Sequence, residues 1–96
     1  MGDGITEQDL IASCRTGSVV RLAAVVEHTD GYLHPFVRLV GKAAWQPLVL
    51  SYRDGPKRWR DYWFLSRIFR VECGYTGPCC ILLPGDRRLQ RMGIVV

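Results

Sequence analysis

Hydrophobic and polar positions along the chain first follow a helical period and then alternate as they do in strands. Thr6 precedes Asp9 by three residues, which is the pattern of a helix N-cap. The apolar residues that follow fall on one helical stripe: Leu10, Ile11 and Cys14. The pattern therefore predicts a short helix over residues 6–15, which ends at Gly17.

From Ser18 onward, the apolar residues occur in short runs separated by turn sequences such as Asp54-Gly55-Pro56. The predicted strands cover residues 18–26, 32–40, 48–53, 59–65 with 68–73, and 80–83, and residues 93–96 add an edge strand. The chain is therefore predicted to be mainly β within the α+β class. The short N-terminal helix precedes a five- to six-stranded, strongly bent antiparallel sheet or an SH3- or Sm-like small barrel. Residues 1–96 are predicted to form a single domain, with residues 1–5 as a flexible N-terminus.

Composition and charge narrow the classes of partner. A hydrophobic content of 48% with 23% charged residues is typical of a folded domain. Residues 1–50 hold four basic and five acidic residues, whereas residues 51–96 hold nine and four, so the net charge of +4 arises in the second half. This asymmetry favours an acidic partner. The absence of an eighteen-residue apolar run or a hydrophobic N-terminal stretch leads us to expect no membrane insertion and a cytoplasmic location.

The cysteines and histidines indicate no cofactor and no metal. Cys73, Cys79 and Cys80 have the spacing C-x5-C-C, which matches no common zinc site, and we expect all four cysteines to be reduced. His28 and His34 are interpreted as structural. No catalytic motif occurs in the sequence, so an enzyme is not expected. One catalytic alternative is a Cys–His pair, in which Cys14 or Cys73 meets one of the histidines in the fold.

Residues 45–72 interleave cations with aromatic rings. If residues 59–65 form a strand, alternate side chains share one face. The predicted outer face holds Arg58, Arg60, Tyr62 and Phe64, and the predicted core face holds Trp59, Trp63 and Leu65. Guanidinium groups beside rings are suited to phosphates and stacked bases. The alternative is an ordinary exposed sheet face on which Arg side chains shield the rings from water.

Several motifs between residues 8 and 72 also occur in a characteristic order. They are Leu10-Ile11, Arg15-Thr16-Gly17 before Val19-Val20-Arg21-Leu22, Pro35 with Leu39-Val40, Trp45 with Leu48-Val49 and Tyr52, and the segment from Arg60 to Ile68. In this order they resemble a WYL domain, a ligand-sensing module of bacterial transcription regulators, although the family's Trp-Tyr-Leu tripeptide reads Trp45-Gln46-Pro47 here. The resemblance implies a small barrel with a leading helix that binds nucleic acid or an anionic small ligand. From their positions in these motifs, the resemblance implies that Arg21, Arg60 and Arg67 belong to the binding face.

The sequence therefore predicts a non-enzymatic, WYL-like binding domain for nucleic acid or an anionic small ligand. The candidate binding residues are Arg21, Arg53, Lys57, Arg58, Arg60, Tyr62, Phe64, Arg67 and Arg70. An alternative is a homo-oligomeric protein-interaction module, a dimer in which edge strands pair across a two-fold axis and Trp59 or Trp63 anchors the interface. A further alternative is an accessory protein of a mobile element, with a function that no motif reveals.

Overall fold

The computed structural model describes residues 4–49 and 59–94 of the 96-residue chain. In chain order, the elements are β1 (Ile5–Thr6), α1 (Glu7–Arg15), β2 (Val20–Glu27), β3 (Leu33–Leu39), β4 (Gln46–Val49), α2 (Tyr62–Arg67), a π-helical turn (Ile68–Glu72), β5 (Cys79–Leu82) and α3 (Arg87–Met92). The predicted α+β class and the short N-terminal helix are confirmed. Thr6 caps α1 as expected, because its hydroxyl accepts a hydrogen bond from the Asp9 N–H at 3.1 Å.

The strands form one five-stranded sheet in the order β1-β4-β3-β2-β5. The central pairs β2–β3 and β3–β4 are antiparallel, whereas the edge pairs β1–β4 and β2–β5 are parallel. The sheet is therefore mixed and not wholly antiparallel. The reason is that β1 and β5 are separated from their sheet neighbours by long stretches of chain that include helices, and such connections permit parallel pairing where a hairpin does not.

The alternation in β2 directs successive side chains to opposite faces of the sheet, and each face has its own hydrophobic core. The first core joins Val25 to Leu10 of α1 and Phe69 of the π-helical turn. The second core joins Val26 to Leu89 of α3 and to Ile94 beyond it. Helices thus cover both faces of the sheet. None of the helices in the described ranges is long and apolar enough to cross a membrane.

The strand prediction for residues 59–65 and 68–73 is wrong beyond Trp59, which makes an isolated antiparallel bridge with Leu33, because the segment is helical from Tyr62 to Glu72. Asp61 caps α2, and its carboxylate accepts a hydrogen bond from the Trp63 N–H at 2.8 Å. The buried residues recur at helical spacing: Leu65, Ile68 and Phe69. Consecutive aromatic residues favour strands locally, but burial of this apolar stripe against the sheet outweighs that preference.

The other predicted strands agree with the structure over most of their length. β2 and β3 match the predicted strands 18–26 and 32–40, and β5 matches 80–83 within one residue. β4 ends at Val49, and the remainder of the predicted strand 48–53 lies outside the described residues. In the predicted edge strand 93–96, Gly93 instead ends α3 with a φ of 75° and Ile94 is buried, while residues 95–96 lie outside the described range.

Candidate binding surface beside the second helix

The predicted binding residues do not form one sheet face. Arg53, Lys57 and Arg58 lie outside the described residues. The expected face of residues 58, 60, 62 and 64 is not formed over its described part, because α2 begins at Tyr62. The six candidates within the described ranges lie on several different elements of the fold.

Arg21 is exposed in β2 at a β-bulge. Val20 pairs with Leu39 and Leu22 pairs with Arg38, so Arg21 is the extra residue between them. Bulges of this type re-aim a side chain. No hydrogen bond or ring contact joins Arg21 to the other candidate residues in the described part of the chain, so it stands apart from them.

Tyr62 begins α2 but is half-buried against the first core. Burial raises the pKa of Tyr62, and its hydrogen bond with the Cys79 thiol raises that pKa further. The phenol is thus a structural group between α2 and β5.

Two of the arginines make contacts within the fold. The Arg60 guanidinium lies 4.9 Å from the centre of the Tyr32 ring, and its Nε donates to the Tyr32 hydroxyl at 2.7 Å. The Arg70 guanidinium donates to the carbonyls of Tyr75, at 3.0 Å, and Gly77. It also lies 5.3 Å from the centre of the Tyr75 ring. Arg70 therefore holds the loop before β5 against the π-helical turn through the two N–H groups of its Nη1.

Phe64 and Arg67 belong to an exposed cluster on α2, together with Trp63. The Trp63 and Phe64 side chains are 56% and 55% exposed, and their rings meet edge to face at 5.1 Å. The Arg67 guanidinium lies 5.2 Å from the centre of the Trp63 ring. We call Trp63, Phe64 and Arg67 the α2 surface. The prediction that Trp63 faces the core is wrong, because the helix turns this ring towards solvent.

A groove of about 350 Å³ runs between α1 and α2, next to the α2 surface. Its lining residues are Glu7, Ile11, Trp59, Phe64, Arg67, Ile68 and Glu72. Glu72 is paired with Arg15, whose Nη2 lies 3.0 Å from the Glu72 Oε1. Arg67 has no carboxylate partner among the described residues. The groove therefore combines apolar side chains with the carboxylates of Glu7 and Glu72, and the Arg67 guanidinium lies at the side that it shares with the α2 surface.

The described cysteines and histidines do not form a Cys–His pair. Cys14 and Cys73 both lie against the first core, where burial and then the neighbouring Cys14 thiol raise the pKa of Cys73. The rings of His28 and His34 stack with centroids 6.2 Å apart, and His34 also contacts Phe36 of the second core. Among residues 4–49 and 59–94, no three His, Cys, Asp or Glu side chains are arranged to hold a metal ion.

The sequence interpretation missed the groove and the Cys14–Cys73 contact. The spacing of Leu65, Ile68 and Phe69 was the signal that could have indicated a helix and, with it, the exposure of Trp63. The contact between the two cysteines joins residues far apart in the chain, and no local sequence pattern predicts it.

The fold defines this chain as a small α+β domain with an exposed aromatic–arginine surface on one helix. Comparisons with protein-family models, with characterised proteins and with solved structures gave no match. The resemblance to WYL domains therefore stays a prediction from the motifs quoted above.

Proposed function

We propose that this protein is a non-enzymatic binding domain that holds single-stranded nucleic acid on the α2 surface. The observation that carries the proposal is the exposure of Trp63 and Phe64 beside the guanidinium of Arg67. Exposed rings stack on bases, and a neighbouring cation neutralises the phosphate. Within the wider class of nucleic acids and anionic ligands, two adjacent rings favour a single strand, because its bases are free to leave their own stack.

The distribution of charge supports the same choice. The second half of the chain carries nine basic and four acidic residues. Arg67 is not neutralised by a described carboxylate, whereas Arg15 on the opposite helix is paired with Glu72. In the sequence, Arg53, Lys57 and Arg58 precede Trp59, which lines the groove. A positive field near stacking rings attracts an anionic strand and is screened by salt.

Binding is tested by fluorescence anisotropy with labelled oligothymidylate, single-stranded RNA and double-stranded DNA at several salt concentrations. We expect the single strands to bind more tightly than the duplex, and log affinity to fall linearly with log salt, by about 0.7 for each phosphate contacted. Absence of binding to either single strand at low salt would contradict the proposal.

The site is tested by the double substitution Trp63→Ala with Phe64→Ala. Because each stacked base contributes about 1–3 kcal/mol, we expect the affinity for oligothymidylate to fall by roughly 30-fold or more. The matched control is Leu83→Ala, which removes another exposed apolar side chain, 62% exposed, outside α2. Equal affinities for the two variants would show that the rings are not the site. The thermal midpoint of each variant is measured alongside, so that loss of folding is recognised.

A second candidate function is self-association through the same helix. Trp63 and Val71, which is 64% exposed, add apolar area to a helical segment, and Trp and Arg are enriched at interface centres. Light scattering over a range of protein concentrations measures this directly. A mass that doubles with concentration, and reverts to the monomer in Trp63→Ala, would favour a dimer. A monomer throughout the range would exclude this candidate.

A further inference from the structure

Two free cysteines meet where α1 and the π-helical turn end. Cys14 lies in the last turn of α1, and Cys73 directly follows the π-helical turn. Both are half-buried and pack against the first core. The residues beside them form a second link between the same elements, because Arg15 and Glu72 are paired at 3.0 Å. The Arg15–Glu72 ion pair thus holds together the residue that follows Cys14 and the residue that precedes Cys73.

The environment of Cys73 favours the protonated thiol, which is consistent with two reduced cysteines before any oxidant is added. Burial, followed by the hydrogen bond with the Cys14 thiol, raises the pKa of Cys73 to about 12. At neutral pH the Cys73 thiol therefore stays protonated and is slow to react with an external oxidant. The other two cysteines are situated differently, since Cys79 hydrogen-bonds with Tyr62 and Cys80 is exposed.

We propose that Cys14 and Cys73 form a redox modification site, at which a small-molecule disulfide converts the two thiols into an intramolecular disulfide that joins α1 to the π-helical turn. The Cys14 thiolate attacks one sulfur of the small disulfide, forms a mixed disulfide and expels one thiolate. Cys73 then gives up its proton and attacks the Cys14 sulfur, which breaks the mixed disulfide and releases the second small thiol. Two protein thiols are oxidised, and one small disulfide is reduced to two thiols.

The cross-link has a clear structural consequence. Glu72, the residue before Cys73, lines the groove from one side, and Ile11 of α1 lines it from the other. A covalent bond between Cys14 and Cys73 therefore fixes one end of the groove between α1 and α2. It also closes a loop of more than fifty residues, and long closed loops restrict the unfolded chain most strongly.

The test uses the folded 96-residue chain, incubated with glutathione disulfide and then digested with trypsin without reduction. Cleavage after Arg15, Arg70 and Arg87 places Cys14 in the peptide 1–15 and the other cysteines in the peptide 71–87. We expect these two peptides to be linked, and the link to disappear in Cys14→Ser and in Cys73→Ser. The matched control is Cys80→Ser, in which the link should persist.

Fragmentation of the linked wild-type peptides identifies the cysteine within 71–87, so the test stands even if Cys73→Ser folds poorly. We also expect oxidation to raise the thermal midpoint by roughly 10 °C or more, and dithiothreitol to reverse the rise. The proposal is overturned if the link runs through Cys79 or Cys80. A stable glutathione adduct on Cys14 that Cys73 does not resolve overturns it equally.

Discussion

Replacement of Phe69 by Ala is expected to lower the free energy of unfolding by about 3–5 kcal/mol. Phe69 is fully buried and contacts the first core from the π-helical turn, where α1, the helical segment and the sheet meet. Removing the ring loses its transfer free energy and leaves a cavity that the surrounding side chains fill only in part. Because domains of this size are stable by about 5–15 kcal/mol, such a loss places the variant near the limit of folding.

Urea unfolding followed by circular dichroism measures this effect, and Val71→Ala is the matched control. Val71 lies in the same π-helical turn but is 64% exposed, so we expect its truncation to change the stability by no more than about 0.5 kcal/mol. If the two variants lost similar amounts, the π-helical turn would not anchor the helical segment to the sheet. An intermediate value for Phe69→Leu would support the cavity explanation, because Leu refills part of the space.

The sequence predicted the fold correctly where the local pattern of residues agrees with the tertiary packing. In β2, side chains alternate between two buried faces, and the hairpin with β3 is made of neighbouring segments. Local pattern and tertiary structure therefore agree there. From Tyr62 to Phe64, three consecutive aromatic residues favour a strand, but the apolar stripe that follows them packs on the sheet only as a helix. The strand prediction weighed residue type above spacing.

The sequence predicted two of the residues of the α2 surface, but it did not predict that they lie on a helix. Phe64 and Arg67 do lie together on an exposed surface, as part of a helix and with Trp63 as the third member. A helix places residues 63, 64 and 67 together, whereas a strand separates 63 from 64 on opposite faces. The parallel pairing of β5 with β2 depends on contacts between distant parts of the chain, which a single sequence does not reveal.

Arg67 and Arg70 lie three residues apart and make different contacts, so their contributions can be tested as a pair. Arg70→Ala is expected to lower the free energy of unfolding by about 2 kcal/mol, because the guanidinium donates to the backbone carbonyls of Tyr75 and Gly77. Arg70→Lys should recover only part of this loss, since a compact ammonium group does not reproduce the contact of the planar guanidinium with the Tyr75 ring, whose centre lies 5.3 Å away. Urea unfolding of the three proteins measures the difference.

Arg67→Ala should have the opposite effects, with little change in stability but weaker binding of nucleic acid. Its contact with the exposed Trp63 ring contributes no more than about 1 kcal/mol to stability, because the pair is open to solvent. Its loss should weaken binding of oligothymidylate and reduce the slope of log affinity against log salt by about 0.7, which corresponds to one phosphate contact. Arg70→Ala should leave that slope unchanged. If Arg70→Ala reduced the slope while the stability stayed constant, Arg70 would belong to the binding surface, and its hydrogen bonds to the loop would be incidental to folding.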